Sequence, residues 1–111
     1  MVRFEAYAVA LEIIRGLAEV LPRIGRHDRD LVKQGRRAAS SIALNLQEGS
    51  GRRGGDRTRH FSIASGSAKE VLAVLDVAEA WGYLDAEATA QLRRLLDREL
   101  ALTWGLAKPT G

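Results

Sequence analysis

The chain contains no cysteine, which excludes disulfides and thiolate metal sites and removes any tie to an oxidising compartment. Aromatic residues make up 5% of it, far short of the β-branched and aromatic palette from which strands are built. No segment approaches the roughly 18 consecutive apolar residues of a membrane span. The first residues, with Arg3 and Glu5 among them, lack the basic stretch, apolar run and small-residue cleavage site of a secretory leader. The expected location is the cytoplasm, away from any membrane.

Histidine is equally scarce, limited to His27 and His60. Neither is placed for a helical metal site, since Ile24 and Leu31 flank the first and Asp56 and Ala64 the second. Asp56 and His60 form the one spaced pair and read as surface neighbours beside a loop. The Glu-x-x-His arrangement of di-iron bundles is missing. Ser40, Ser41, Ser50, Ser62, Ser65 and Ser67 include no Gly-x-Ser-x-Gly elbow. The segment Gly49-Ser-Gly-Arg-Arg-Gly-Gly55 lacks the Gly-Lys-Ser/Thr ending of a phosphate-binding loop. The expectation is no catalytic, metal or cofactor residue, and no enzyme.

What remains is a helix-building composition. Ala, Leu, Gly and Arg dominate a chain of 111 residues that is 46% apolar, enough for one core. Phe4, Tyr7, Leu11, Ile14, Ala18 and Leu21 alternate three and four apart, the seam of a first helix. A parallel stripe of Ala10, Ile13, Leu17 and Val20 widens its apolar face. Pro22 and Gly25 are expected to end this helix, the glycine by a left-handed cap.

Asp28 or Asp30 can cap a second helix along the small-sided seam Leu31, Gly35, Ala38, Ile42 and Asn45. Four glycines between residues 49 and 55 predict a mobile loop, after which Asp56 or Thr58 can cap a third helix. Its seam is Phe61, Ala64, Ala68, Val71, Leu75 and Ala78, flanked by Val74, Val77 and Trp81. Gly82 and Asp85 frame a tight turn, and Ala88, Leu92, Leu95, Leu96, Leu102 and Leu106 mark a fourth helix stopped by Pro109. The predicted fold is all-α, a single antiparallel up-down-up-down four-helix bundle over residues 1–111 with helices at about 3–21, 30–48, 57–81 and 86–107.

The doubled stripes on the first and third helices call for a partner. Ile13, Leu17, Val74, Val77 and Trp81 are the expected interface of a homo-oligomer; the alternative is that they widen the core. Charge is also unevenly spread. Between Arg23 and His60 stand ten basic and four acidic residues, a net of +6, which leaves the rest at −3 of a total of +3. Such a basic region suits a polyanion, RNA or DNA. Arg36, Arg52, Arg53, Arg57 and Arg59 are the candidate phosphate contacts. With only Phe61 nearby, and that on a core seam, binding is expected to follow the backbone without base stacking.

Three segments carry a resemblance: Arg36-Arg-Ala-Ala-Ser-Ser-Ile-Ala-Leu-Asn-Leu-Gln-Glu-Gly-Ser-Gly-Arg52, Phe61-Ser-Ile-Ala-Ser-Gly-Ser-Ala-Lys-Glu70 and Ala78-Glu-Ala-Trp-Gly-Tyr-Leu84. They resemble the 23S rRNA intervening-sequence proteins, whose signatures are similar to R-R-A-x-S-I-P-x-N-I-x-E-G and G-S-x-x-E. The resemblance implies a four-helix bundle assembled as a ring-like homopentamer. It also implies kinship with the accessory protein of diversity-generating retroelements, which helps a reverse transcriptase handle nucleic acid. The family's proline falls on Ala43 here, so its kink is not carried over. Arg37, Asn45, Glu48, Ser67 and Glu70 are the expected members of a buried polar network, close approach being allowed by Gly49 and Gly66; the other reading is that these groups reach solvent or an interface rim. A non-nucleic-acid protein scaffold, with its protein partner unspecified, is the alternative function.

Overall fold

The computed structural model describes residues 2–108, and among them every regular element is a helix. Helix α1 spans Val2–Gly25, α2 Arg29–Ser50, α3 Gly54–Ala80 and α4 Ala86–Ala107. Helix α1 packs on α2 and α4, and α3 packs on the same two. That pattern is the antiparallel up-down-up-down bundle expected from the seams.

The turns follow local chemistry. Asp28 caps α2 by accepting from the Leu31 N–H at 3.0 Å, and Asp85 caps α4 by accepting from Ala88 N–H at 2.9 Å, each satisfying a donor the first helical turn leaves free. Gly82 takes φ +81°, a conformation that costs glycine little. At this end of the bundle the ring of His27 stacks on Tyr83 at 4.7 Å with 2° between planes, and Trp81 lies over Tyr83 at 6.4 Å. The α1–α2 and α3–α4 turns are thereby held together.

Three boundary expectations are corrected. Pro22 does not end α1, because it and Ala18, the residue whose carbonyl it leaves without an intrahelical donor, are both exposed to water, while buried Leu21 and Ile24 hold the last turn to the core. Gly25 has no left-handed φ; the end is closed by the N–H groups of His27 and Asp28 donating to the Ile24 carbonyl, each at 2.9 Å. The glycine-rich loop contracts to residues 51–53, and α3 starts at Gly54 after Arg53, with no side-chain cap from Asp56 or Thr58.

The seam of α3 is buried as expected, with Phe61, Ala64, Ala68, Val71, Leu75 and Ala78 at or near zero exposure. On α1 the two stripes change places. Ile13 and Leu17 are in the deepest core at 0% and 2% exposure, whereas Tyr7, Leu11 and Ile14 are half-buried and Ala18 is exposed. Both stripes are apolar, so composition alone does not choose between them. Small neighbours do: a β-carbon at Gly16 would meet Leu92 of α4 at 3.0 Å, and one at Gly35 would meet Leu21 at 3.3 Å. These close approaches set the rotation of α1. Ile13, Leu17 and Val74, the last at 2% exposure, are core residues and cannot form an interface. The side chain of Phe4 and Pro109 lie outside what the structure describes.

Helix α4 departs most from a plain apolar stripe. Thr89, Glu99 and Thr103 are fully buried. Thr89 donates to Glu79, which also receives Arg93 at 3.0 Å while Arg93 reaches Asp76 at 2.9 Å. Thr103 donates to the Glu99 carbonyl at 2.8 Å. The Glu99 carboxyl oxygens have no partner among the described residues, and burial pushes its pKa up to about 8.

Candidate nucleic-acid interface

The short α2–α3 turn concentrates charge because it joins the C-terminus of one helix to the N-terminus of the next within three residues. Arg52 lies between Glu48 of α2 and Asp56 of α3, at 3.5 and 3.4 Å, and Arg59 reaches Asp56 at 3.9 Å. Arg57 lies over the ring of Phe61, its guanidinium carbon 4.8 Å from the centroid. Arg53 has no charged partner among the described residues and precedes an α3 N-terminus without a side-chain cap. Its neighbours Gly54 and Gly55 have no Cβ to cover the backbone there, so the first N–H groups of α3 can meet an anion.

These ion pairs are open to water, with side-chain exposures of 45% to 69%. Exposed pairs contribute roughly 0–1 kcal/mol, so an arginine here exchanges a carboxylate for a phosphate at small cost. Four of the five candidate arginines therefore cluster at one end. Arg36 does not join them: it lies about 20 Å away along α2, on the rim of a groove between α1 and α2.

Behind the arginines runs a polar chain that differs from the expected network. Asn45 donates through Nδ2 to the Ser41 carbonyl at 2.9 Å and Oγ at 3.1 Å. Ser67 donates to Ser41 Oγ at 2.8 Å across the α2–α3 seam. With its amide nitrogen so engaged, Asn45 turns Oδ1 toward His60 Nδ1 at 2.9 Å, and that nitrogen carries the hydrogen. Asn45 and Ser67 are thus joined, through Ser41. Arg37 and Glu70 are exposed, and Glu48 faces Arg52; these three are corrected out of the network because their positions on α2 and α3 point away from the seam. A β-carbon added at Gly66 would have nothing within 4 Å, so Gly66 permits no close approach, whereas Gly49 does.

Sequence reasoning missed His60, whose role needed the pairing register of α2 with α3. Asp56 instead bonds the arginines. The one available signal was Asn45 on an otherwise apolar seam, which requires a polar partner on the helix opposite.

Among curated proteins none matches this sequence. A solved structure of a protein of unknown function from the S23 ribosomal protein family of Bacteroides thetaiotaomicron superimposes with a TM-score of 0.88 at 17% identity, over 96% of this chain and 98% of that one. At that identity the likeness establishes the fold. The family model of the 23S rRNA-intervening sequence protein matches residues 1–104, nearly the whole length, and the chain belongs to that family.

Proposed function

We propose that the protein is a non-enzymatic, homo-oligomeric bundle that binds nucleic acid through the phosphate backbone, acting as an accessory protein in the cytoplasm. The observation that carries this reading is the crowding of Arg52, Arg53, Arg57 and Arg59 around the uncapped N-terminus of α3. Guanidinium forks and helix N–H groups both complement phosphate oxygens. Of the described aromatic rings at this end, Phe61 is buried, Tyr7 is half-buried, and the exposed Trp104 of α4 carries Lys108 over its ring at 3.8 Å, so base stacking is not the favoured contact. Selectivity for sequence is therefore small.

The family's name ties it to intervening sequences of 23S rRNA, which makes RNA the first polyanion to test. The exposed Val77 and Trp81, at 41% and 70%, support self-association, and repeating the arginine cluster in each subunit raises avidity without new contacts. The pentamer implied by the resemblance is the expected stoichiometry. Binding of labelled single- and double-stranded RNA and DNA across a salt series tests the reading. Absence of salt-sensitive binding near 50 mM salt leaves the alternative, an oligomeric protein scaffold.

A further inference from the structure

Arg36, which the α2–α3 arginine cluster does not include, lines a groove of about 450 Å³ between α1 and α2. The groove exists because the core has taken the Ile13–Leu17 stripe of α1, leaving the Ile14–Ala18 stripe at the surface. Leu17, Leu21 and Ala39 form its buried floor, and Ile14, Ala18 and Val32 stand along its sides. At the α1–α2 turn it narrows, where a β-carbon on Gly25 would lie 3.5 Å from Val32.

Its charge is of one sign. Arg29, Lys33 and Arg36 recur along the exposed side of α2 that borders the groove, and Arg15 stands one turn before Ala18 on α1. None of these four cations is in an ion pair among the described residues. No carboxylate is among the described residues that line the groove. An apolar slot bordered by unpaired cations complements a molecule with an apolar body and one negative group. A volume within the range of about 300–1,000 Å³ found for small-molecule sites selects a small ligand over a docked helix or a second copy.

We propose that the α1–α2 groove binds a single-chain amphiphile with a carboxylate head, the head meeting Arg36 and the chain lying along Leu17, Ala39 and Ile14. Two features set this orientation. Gly35 lies against Leu21, so Arg36 is level with that turn of α1, and its long side chain leans toward the N-terminus of α2, the Val32 end of the groove. The Ala18 carbonyl, which Pro22 leaves without an intrahelical donor, is directed toward the same end. An apolar chain laid over that carbonyl would strip its water and replace no hydrogen bond, whereas a hydrated head group leaves it wet. From the level of Leu21 to Ile14 the apolar run is about 10 Å, suited to a medium-length acyl chain. The guanidinium fork matches the two carboxylate oxygens. This site stands independently of the nucleic-acid reading, whose arginines are at the opposite end of α2.

The test is titration of decanoate, below its micelle concentration, into the full chain by isothermal calorimetry, with amide shifts followed by NMR. One saturable site per chain is expected, with shifts concentrated in residues 14–25 and 32–40. Acetate, which lacks the chain, and decyltrimethylammonium, which reverses the charge, should not saturate. Arg36→Ala should weaken binding by about tenfold or more, Ala18→Phe should fill the slot and abolish it, and Arg94→Ala on α4 should leave it unchanged. All three positions are exposed, and unchanged circular dichroism separates a lost site from a lost fold. The site is overturned if decanoate shows no saturable binding up to about 1 mM, if decyltrimethylammonium binds equally well, or if both groove variants bind as wild type does. It is also overturned if decanoate binds only as the assembled mass falls in analytical ultracentrifugation, which gives the groove to a neighbouring copy. Capture of wild type and Ala18→Phe alike by phosphatidylglycerol vesicles, with no binding of free decanoate, overturns it in favour of an anionic surface.

Discussion

Gly49 of α2 lies against the ring of Phe61 of α3 so closely that an added β-carbon would stand 2.7 Å from Cε1 and 2.9 Å from Cδ1. Phe61 is fully buried, so its ring cannot swing into solvent, and the backbone of α2 would have to move. Gly49→Ala is expected to destabilise the chain by about 1–3 kcal/mol, read from urea midpoints. Gly105→Ala, where a β-carbon meets nothing within 4 Å among the described residues, is expected to stabilise by up to about 1 kcal/mol through helix propensity.

The Ser67–Ser41–Asn45–His60 chain should respond as a unit. Asn45→Ala leaves His60 and Ser41 each short of a partner in a half-buried seam, at a cost of about 1–2 kcal/mol. Combined with His60→Ala, the loss should be clearly smaller than the sum of the two. Glu70→Ala, exposed and outside this chain of bonds, should leave the unfolding midpoint unchanged.

Glu99 sets a pH dependence whose sign is fixed by its burial. The folded carboxyl holds its proton up to about pH 8, whereas in the unfolded chain it ionises near the ordinary value of 4.5. The folded state therefore binds the extra proton between those limits, and stability falls as pH rises from about 4.5 to 8, then levels. At pH 7 the difference is on the order of 3 kcal/mol. Glu99→Leu should flatten the profile across this window and raise stability most above pH 7; a parallel-shifted profile that keeps its slope would show that Glu99 is not its source.

Converting Arg52, Arg53, Arg57 and Arg59 to Gln should lower the salt slope of nucleic-acid binding, which runs at about 0.7–0.9 log units per neutralised phosphate per decade of salt. Helical content and oligomeric mass should stay as in wild type, because these side chains are at least partly exposed and pair only weakly. Arg53→Gln alone should account for a full share of that loss, since it gives up no ion pair among the described residues.

Helix number, order and the core of α3 were legible because alternation of three and four residues has one solution when a single stripe is apolar. On α1 two stripes are apolar, and the choice between Ile13–Leu17 and Tyr7–Leu11–Ile14 was made by Gly16 against Leu92 and Gly35 against Leu21, contacts that depend on other helices. The arginine cluster was legible as far as sequence proximity carries it, at Arg52 to Arg59; Arg36 was grouped with it by charge and is separated from it by helix rise. The burial of Glu99 had no local signature at all. A glutamate three residues past Leu96 fits a solvated face as well as a core, and only the positions of α1 and α3 decide.

The near-square arrangement joined by short turns also orders the formation of the bundle. Contacts of α1 with α2, α2 with α3 and α3 with α4 are each made across a turn of a few residues and close small loops, whereas α1 meets α4 only when almost the whole chain is gathered, as in the Glu5–Arg98 ion pair. Loop-closure entropy makes that meeting the slowest to be rewarded. Substitutions where α1 faces α4, such as Leu92→Ala opposite Gly16, should accordingly speed unfolding far more than they slow folding, so this seam governs how long the native bundle persists once formed.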